Sequence, residues 1–159
     1  MTAQITQPRS RLLAWAAVSF AIGFTLHGLD HLRRGISASP MFIMIGGTVQ
    51  GLLVAVAVIM VLTDHRRAPA AAIVVGFGSA VVFTYAHLLP TVWPGYQDSF
   101  ISLPHTNVTW FSWFSAVAEI GTGVVFAAAG IRAARTQASG GDTGLPDKQV
   151  RDTARRAVS

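Results

Sequence analysis

Apolar residues gather along this chain into four long blocks, separated by short polar or charged breaks. The blocks cover about residues 12–32, 41–63, 69–90 and 108–131. Each is close to the roughly 20 residues that carry a helix across the hydrocarbon of a bilayer. The breaks have their own chemistry. Arg9 and Arg11 precede the first block, and Arg33, Arg34 and Gly35 close it. Pro40 leads into the second, and Asp64-His65-Arg66-Arg67 follows it. Pro69 suits the first turn of the third block, and Pro90 ends that block. Gly130 and Arg132 mark the end of the fourth. The expected fold is all-α: a polytopic four-helix transmembrane bundle over residues 1–135, with a disordered basic tail over 136–159. The first block is longer than the apolar core of a secretory signal, and no small-x-small cleavage site follows it, so a retained helix is expected.

Composition agrees with the pattern. Apolar residues make up 52% of the 159 positions and charged residues 12%, about half the share found in ordinary soluble domains. The net charge of +5 would suit a nucleic-acid partner if it were gathered on one face. Instead the basic residues sit between the apolar blocks and in the tail, which reads as membrane orientation and argues against nucleic acid. Ten Lys and Arg residues fall on the side of the termini and two, Arg33 and Arg34, on the other. By the positive-inside rule both termini are expected in the cytoplasm, with the chain in the plasma (inner) membrane. Trp93, Tyr96, Trp110 and Trp113 cluster where an outer interfacial belt would lie, around a loop over residues 91–107 that should form a partial cap. There is no cysteine, so thiolate catalysis, disulfides, iron–sulfur clusters and Cys-type zinc sites are excluded.

Ionisable side chains inside such blocks are costly and normally face a partner or a cavity. His27, Asp30 and His31 stand at i, i+3 and i+4 on the first helix, and two histidines at that spacing can present ring nitrogens to one metal ion. Asp30 could ligate too, or hold a ring N–H. The alternative is a polar helix end wetted by headgroups. His87 lies at the same expected depth on the third helix, three residues before Pro90. These four form the candidate metal set. Copper or zinc would use the His27/His31 pair, and Met41 and Met44 begin the second helix at the same level, where thioethers could serve Cu(I). Haem b would instead take axial histidines from two helices, with Arg33 and Arg34 on its propionates. His105 in the cap could reach down to the cluster.

Glu119 falls near mid-membrane on a thin polar stripe with Ser112, Ser115 and Thr122, as a proton carrier, an ion ligand or a hydrogen-bonding strut. Gln50 adds polarity to the second helix, beside a Gly47/Gly51 pair at the spacing of close helix packing, and Gly76 and Gly78 invite the same reading on the third. Three functional readings remain: a His-based metal or haem site for electron transfer or metal handling, a non-enzymatic accessory subunit, or a small proton-coupled carrier. Expected partners are the lipid bilayer and either other membrane subunits or further copies of the chain.

Overall fold

A computed structural model of the chain describes residues 10–141. Within them it is all-helical: α1 (Arg11–Arg34), α2 (Met41–Leu62), α3 (Ala68–Phe83) and α4 (Trp110–Gly141). A 3₁₀ turn (Ile36–Ala38) joins α1 to α2, and α3 runs on into a π-helical turn (Thr84–Leu88). With that turn included, four helices are long and apolar enough to span a membrane. The expected tail lies largely outside the described residues.

Local chemistry explains most of the boundaries. Ser10 caps α1 by accepting from the Leu13 N–H at 3.3 Å. Gly35 ends it at φ 95°, a left-handed conformation that glycine adopts without the strain a Cβ brings, and its N–H returns to the His31 and Leu32 carbonyls. α4 departs from the sequence expectation. It continues ten residues past Ile131, because Gly130 is not a terminator here. A Cβ at Gly130 would lie 2.8 Å from the Pro69 carbonyl oxygen, so this glycine lets α3 press against α4. The Ala- and Arg-rich residues that follow are good helix formers, and they carry the helix onward.

Gly76 and Gly123 set the same contact further along. Each would drive a Cβ into the other's carbonyl oxygen, at 2.5 and 2.9 Å. Gly23 brings α1 equally close to α4 at Thr122 and Ala118. The Gly47/Gly51 pair behaves otherwise: a Cβ on Gly47 would meet nothing within 4 Å, and one on Gly51 would meet only the Phe24 ring.

The two ends of the bundle differ. Towards the start of α1, the buried side chains of Leu13, Phe20, Val54, Val61 and Phe126 form an apolar core, with Phe20 stacked on Phe126 at 5.4 Å. All three buried residues of α2 (Val54, Ala57 and Val61) belong to this half of the molecule. The first half of α2 stands away from α1 and α3. It leaves a cavity of about 290 Å³ at the other end, where α1 and the π turn finish. The buried His27, Asp30, Arg34, His87 and Asp98 gather at that end.

Candidate metal centre

The π turn places His87. A fifth residue in one turn shifts the side chains after it relative to an unbroken α-helix, and such insertions recur at functional sites. It also frees backbone carbonyls at a helix end, which need donors. Residues 97–100 supply them by folding back as a buried plug. The Asp98 N–H donates to the Ala86 carbonyl at 3.0 Å and the Phe100 N–H to that of His87 at 2.9 Å. The Gln97 amide donates to the Tyr85 carbonyl at 3.0 Å, and the Ser99 hydroxyl to that of Leu89 at 2.7 Å.

His27, His31 and His87 meet beneath this plug. Nε2 of His27 lies 3.1 Å from Nε2 of His87 and 3.1 Å from Nε2 of His31. Each ring offers a ligand atom, and all three atoms lie within 4.8 Å of one another. His27 and His87 are 3% and 1% exposed, so bulk water does not account for the cluster. The two separations from His27 suit a common ion. At the usual zinc–nitrogen distance of about 2.0–2.1 Å, two ligands in tetrahedral arrangement stand roughly 3.3 Å apart.

The opposite nitrogens are all tethered. Nδ1 of His87 lies 3.0 Å from the Asp98 carbonyl, which can only accept, so this nitrogen carries the proton. Nδ1 of His31 lies 3.0 Å from the Ser39 hydroxyl, which donates to the Asp98 carboxylate at 2.7 Å and therefore accepts from the ring. Nδ1 of His27 lies 3.5 Å from the Ser115 hydroxyl, which donates to the Ser112 carbonyl at 3.0 Å. The network thus assigns the Nδ1–H tautomer to His31 and His87 and favours it in His27, leaving bare Nε2 lone pairs that point inward.

Arg34 holds the plug in register. Its guanidinium takes both oxygens of Asp98, at 2.6 and 2.8 Å, donates to the Thr106 carbonyl at 3.0 Å, and lies over the Phe100 ring. Burial alone would push the Asp98 carboxyl up, but the Arg34 and Ser39 hydrogen bonds outweigh it and hold the group below its usual range.

Asp30 turns to a different neighbour. At 100° per residue, positions i+3 and i+4 flank the i position on opposite sides. His31 therefore joins His27 while Asp30 faces α4, accepting from Arg33 at 2.8 Å and from the Ser112 hydroxyl at 3.0 Å. Its Oδ2 has no hydrogen-bond partner among the described residues. Arg33 also reaches the Asn107 carbonyl at 2.9 Å, so both arginines are engaged within the protein. Ser115 is the one member of the α4 stripe that reaches the triad. Glu119 lies fully buried, accepting from the Ser79 hydroxyl at 3.2 Å, and its second oxygen has no partner among the described residues. Gln50 lines the cavity, and its amide nitrogen has no acceptor among the described residues. Met44 lines it too, whereas Met41 and His105 are exposed.

Ser39, Gln97 and Asp98 were not among the residues that the sequence singled out. A lone acid in a loop reads as solvated, and no spacing rule ties Asp98 to Arg34, 64 residues away. Comparison with known proteins found no matching family model, no matching curated protein and no matching solved structure.

Proposed function

We propose that this chain is an integral membrane protein that binds one transition-metal ion through Nε2 of His27, His31 and His87. In this reading the four helices cross the bilayer, both termini are cytoplasmic, and the ion sits in the outer half beneath the 89–109 cap. The observation that carries it is the convergence of three Nε2 atoms whose rings are each held from behind. Without a cation that arrangement leaves lone pairs facing one another in a buried site. A proton on His27 Nε2 could be donated to only one of its two neighbours at a time. One ion satisfies all three.

An all-imidazole set suits zinc, copper, nickel or cobalt, and not the hard ions that seek carboxylates. A bare ion fits better than haem b. Axial imidazoles stand on opposite faces of a macrocycle, whereas these three rings offer nitrogens within 4.8 Å of one another, and the arginines expected for propionates bind Asp30 and Asp98. Three ligands leave a coordination position open, as in catalytic rather than structural sites. Exposed Trp93, Tyr96 and Trp110 at this end of the bundle support the placement of a membrane–water boundary there.

The test is metal titration of the detergent-purified protein, with elemental analysis and an absorption spectrum. One ion per chain is expected, with affinity falling at least 100-fold in each of His27→Ala, His31→Ala and His87→Ala. A Soret band would overturn the bare-ion reading in favour of haem. A folded protein that takes up no ion and co-purifies with other subunits would overturn the site in favour of an accessory role. Orientation is checked separately, with reporters fused to either terminus that are active only in the cytoplasm.

A further inference from the structure

The 290 Å³ cavity is walled on one side by His27, His31 and His87. An ion held by these three rings would have its open coordination position towards this cavity. Elsewhere the wall is largely apolar, with Phe24, Phe83 and Val82 among its members. Gly46 and Gly47 also line it, and a Cβ at either would meet nothing within 4 Å. The buried Gln50 amide nitrogen is a donor with no acceptor among the described residues.

Charge narrows the occupant. A divalent ion on three neutral imidazoles leaves two positive charges uncompensated. The acids nearby do not supply the balance: Asp98 is paired with Arg34, Asp30 with Arg33, and Glu119, held by the Ser79 hydroxyl, does not line the cavity. In surroundings of low dielectric, an anionic oxygen on the open position is strongly favoured. An acceptor oxygen is also what the Gln50 amide lacks.

From this juxtaposition we infer that the cavity binds an alkyl carboxylate entering from the bilayer, its oxygens on the metal and the Gln50 amide and its chain along Phe24 and Phe83. The inference rests on the metal reading above. Its lining comes from α1, α2, α3 and the π turn and includes exposed Leu32, Phe42 and Val82, so with the helices in a bilayer as proposed a lipid-dissolved molecule would reach it without crossing water. A single chain fits a space this size, at the lower end of small-molecule pockets, and a two-tailed lipid does not.

The experiment uses the full-length protein loaded with Co²⁺, whose visible spectrum reports its coordination, titrated with decanoate, acetate and methyl decanoate. Decanoate should perturb the spectrum at concentrations at least tenfold below either of the others, since acetate lacks the chain and the ester lacks the charge. Gly47→Leu, which fills the cavity from the α2 side, should abolish the decanoate response while Co²⁺ still binds one per chain. Gln50→Leu should weaken it about tenfold. Equal responses to decanoate and acetate, or an undiminished response in Gly47→Leu, would overturn the carboxylate site and leave the metal site standing. Failure of the parent protein to bind Co²⁺ would remove both.

Discussion

Replacing Ser39 by alanine tests the tautomer argument without touching a metal ligand. Ser39 links His31 Nδ1 at 3.0 Å to the Asp98 carboxylate at 2.7 Å. Alanine removes both bonds but leaves the two-pronged Arg34–Asp98 pair in place. The lost bond to a charged acceptor costs about 1.5–3 kcal/mol of stability. The larger consequence is for the ion. His31 loses the acceptor that fixes its proton on Nδ1, so its ring can turn or present Nε2–H to the site. Removing such an outer partner typically lowers metal affinity about 10–100-fold, which is about 1.4–2.7 kcal/mol of binding energy. The assay is a competition titration of Zn²⁺ against a chromophoric chelator, run on parent and Ser39→Ala protein with helical content checked by circular dichroism. Ser39→Thr, which keeps the hydroxyl, should restore most of the affinity. An affinity within threefold of the parent in a folded Ser39→Ala protein would refute the claim that the Nδ1 tethers prepare the site.

Three further outcomes follow from the same geometry. Gly76→Ala should destabilise the bundle by about 1–3 kcal/mol, because its Cβ meets the Gly123 carbonyl oxygen at 2.5 Å; Gly78→Ala, facing open space, should be neutral or mildly stabilising in the same thermal-melt comparison. Glu119→Gln keeps the shape and the Ser79 hydrogen bond while removing any possibility of a buried charge, so the melting temperature should hold or rise; a large fall would mean that a carboxylate is required there. The Asp98 carboxyl is held low in the folded state, so its contribution is complete above the unfolded value near 3.8 and is lost as pH falls through the lower folded value. Thermal stability should therefore fall off below about pH 4, and Asp98→Asn should be less stable at neutral pH, with a shallower acid decline.

The helices were legible because their signal is long and repeated: four apolar blocks with Pro, Gly and Arg at their ends. The first three starts fall within a residue of expectation, and α4 begins two residues late. What escaped was the meaning of single residues that sit in one pattern and serve another. Gly130 resembles a stop signal and acts as a contact, since a missing Cβ serves either purpose and only the neighbour decides. Gly47 and Gly51 carry the spacing of a packing motif, yet only Gly51 faces a neighbouring helix, at the Phe24 ring, while Gly47 lines the cavity. At the site, the i, i+4 pair of His27 and His31 and the depth of His87 were readable from helical geometry. The plug of residues 97–100 was not, because it answers carbonyls freed by a π turn, and no local propensity announces that turn.

That dependence bears on why the triad is assembled where it is. A histidine cluster kept only for packing would be a poor choice for a helix bundle, since buried polar groups cost stability unless every one of them is satisfied. The surroundings here satisfy the outward nitrogens through a carbonyl and two hydroxyls and leave the inward ones without donors. The expensive parts of the arrangement all act on ring orientation: a π turn, a buried plug and a buried Arg34–Asp98 pair. Leucine at 27 and 87 would fill similar space without needing any of them. If His27→Leu/His87→Leu protein is as stable as the metal-free parent or more so, the polar network is a cost that the fold carries for the sake of its ligand. If the double variant fails to fold while the metal-free parent is stable, the triad is a structural element, and the case for an ion loses its energetic basis.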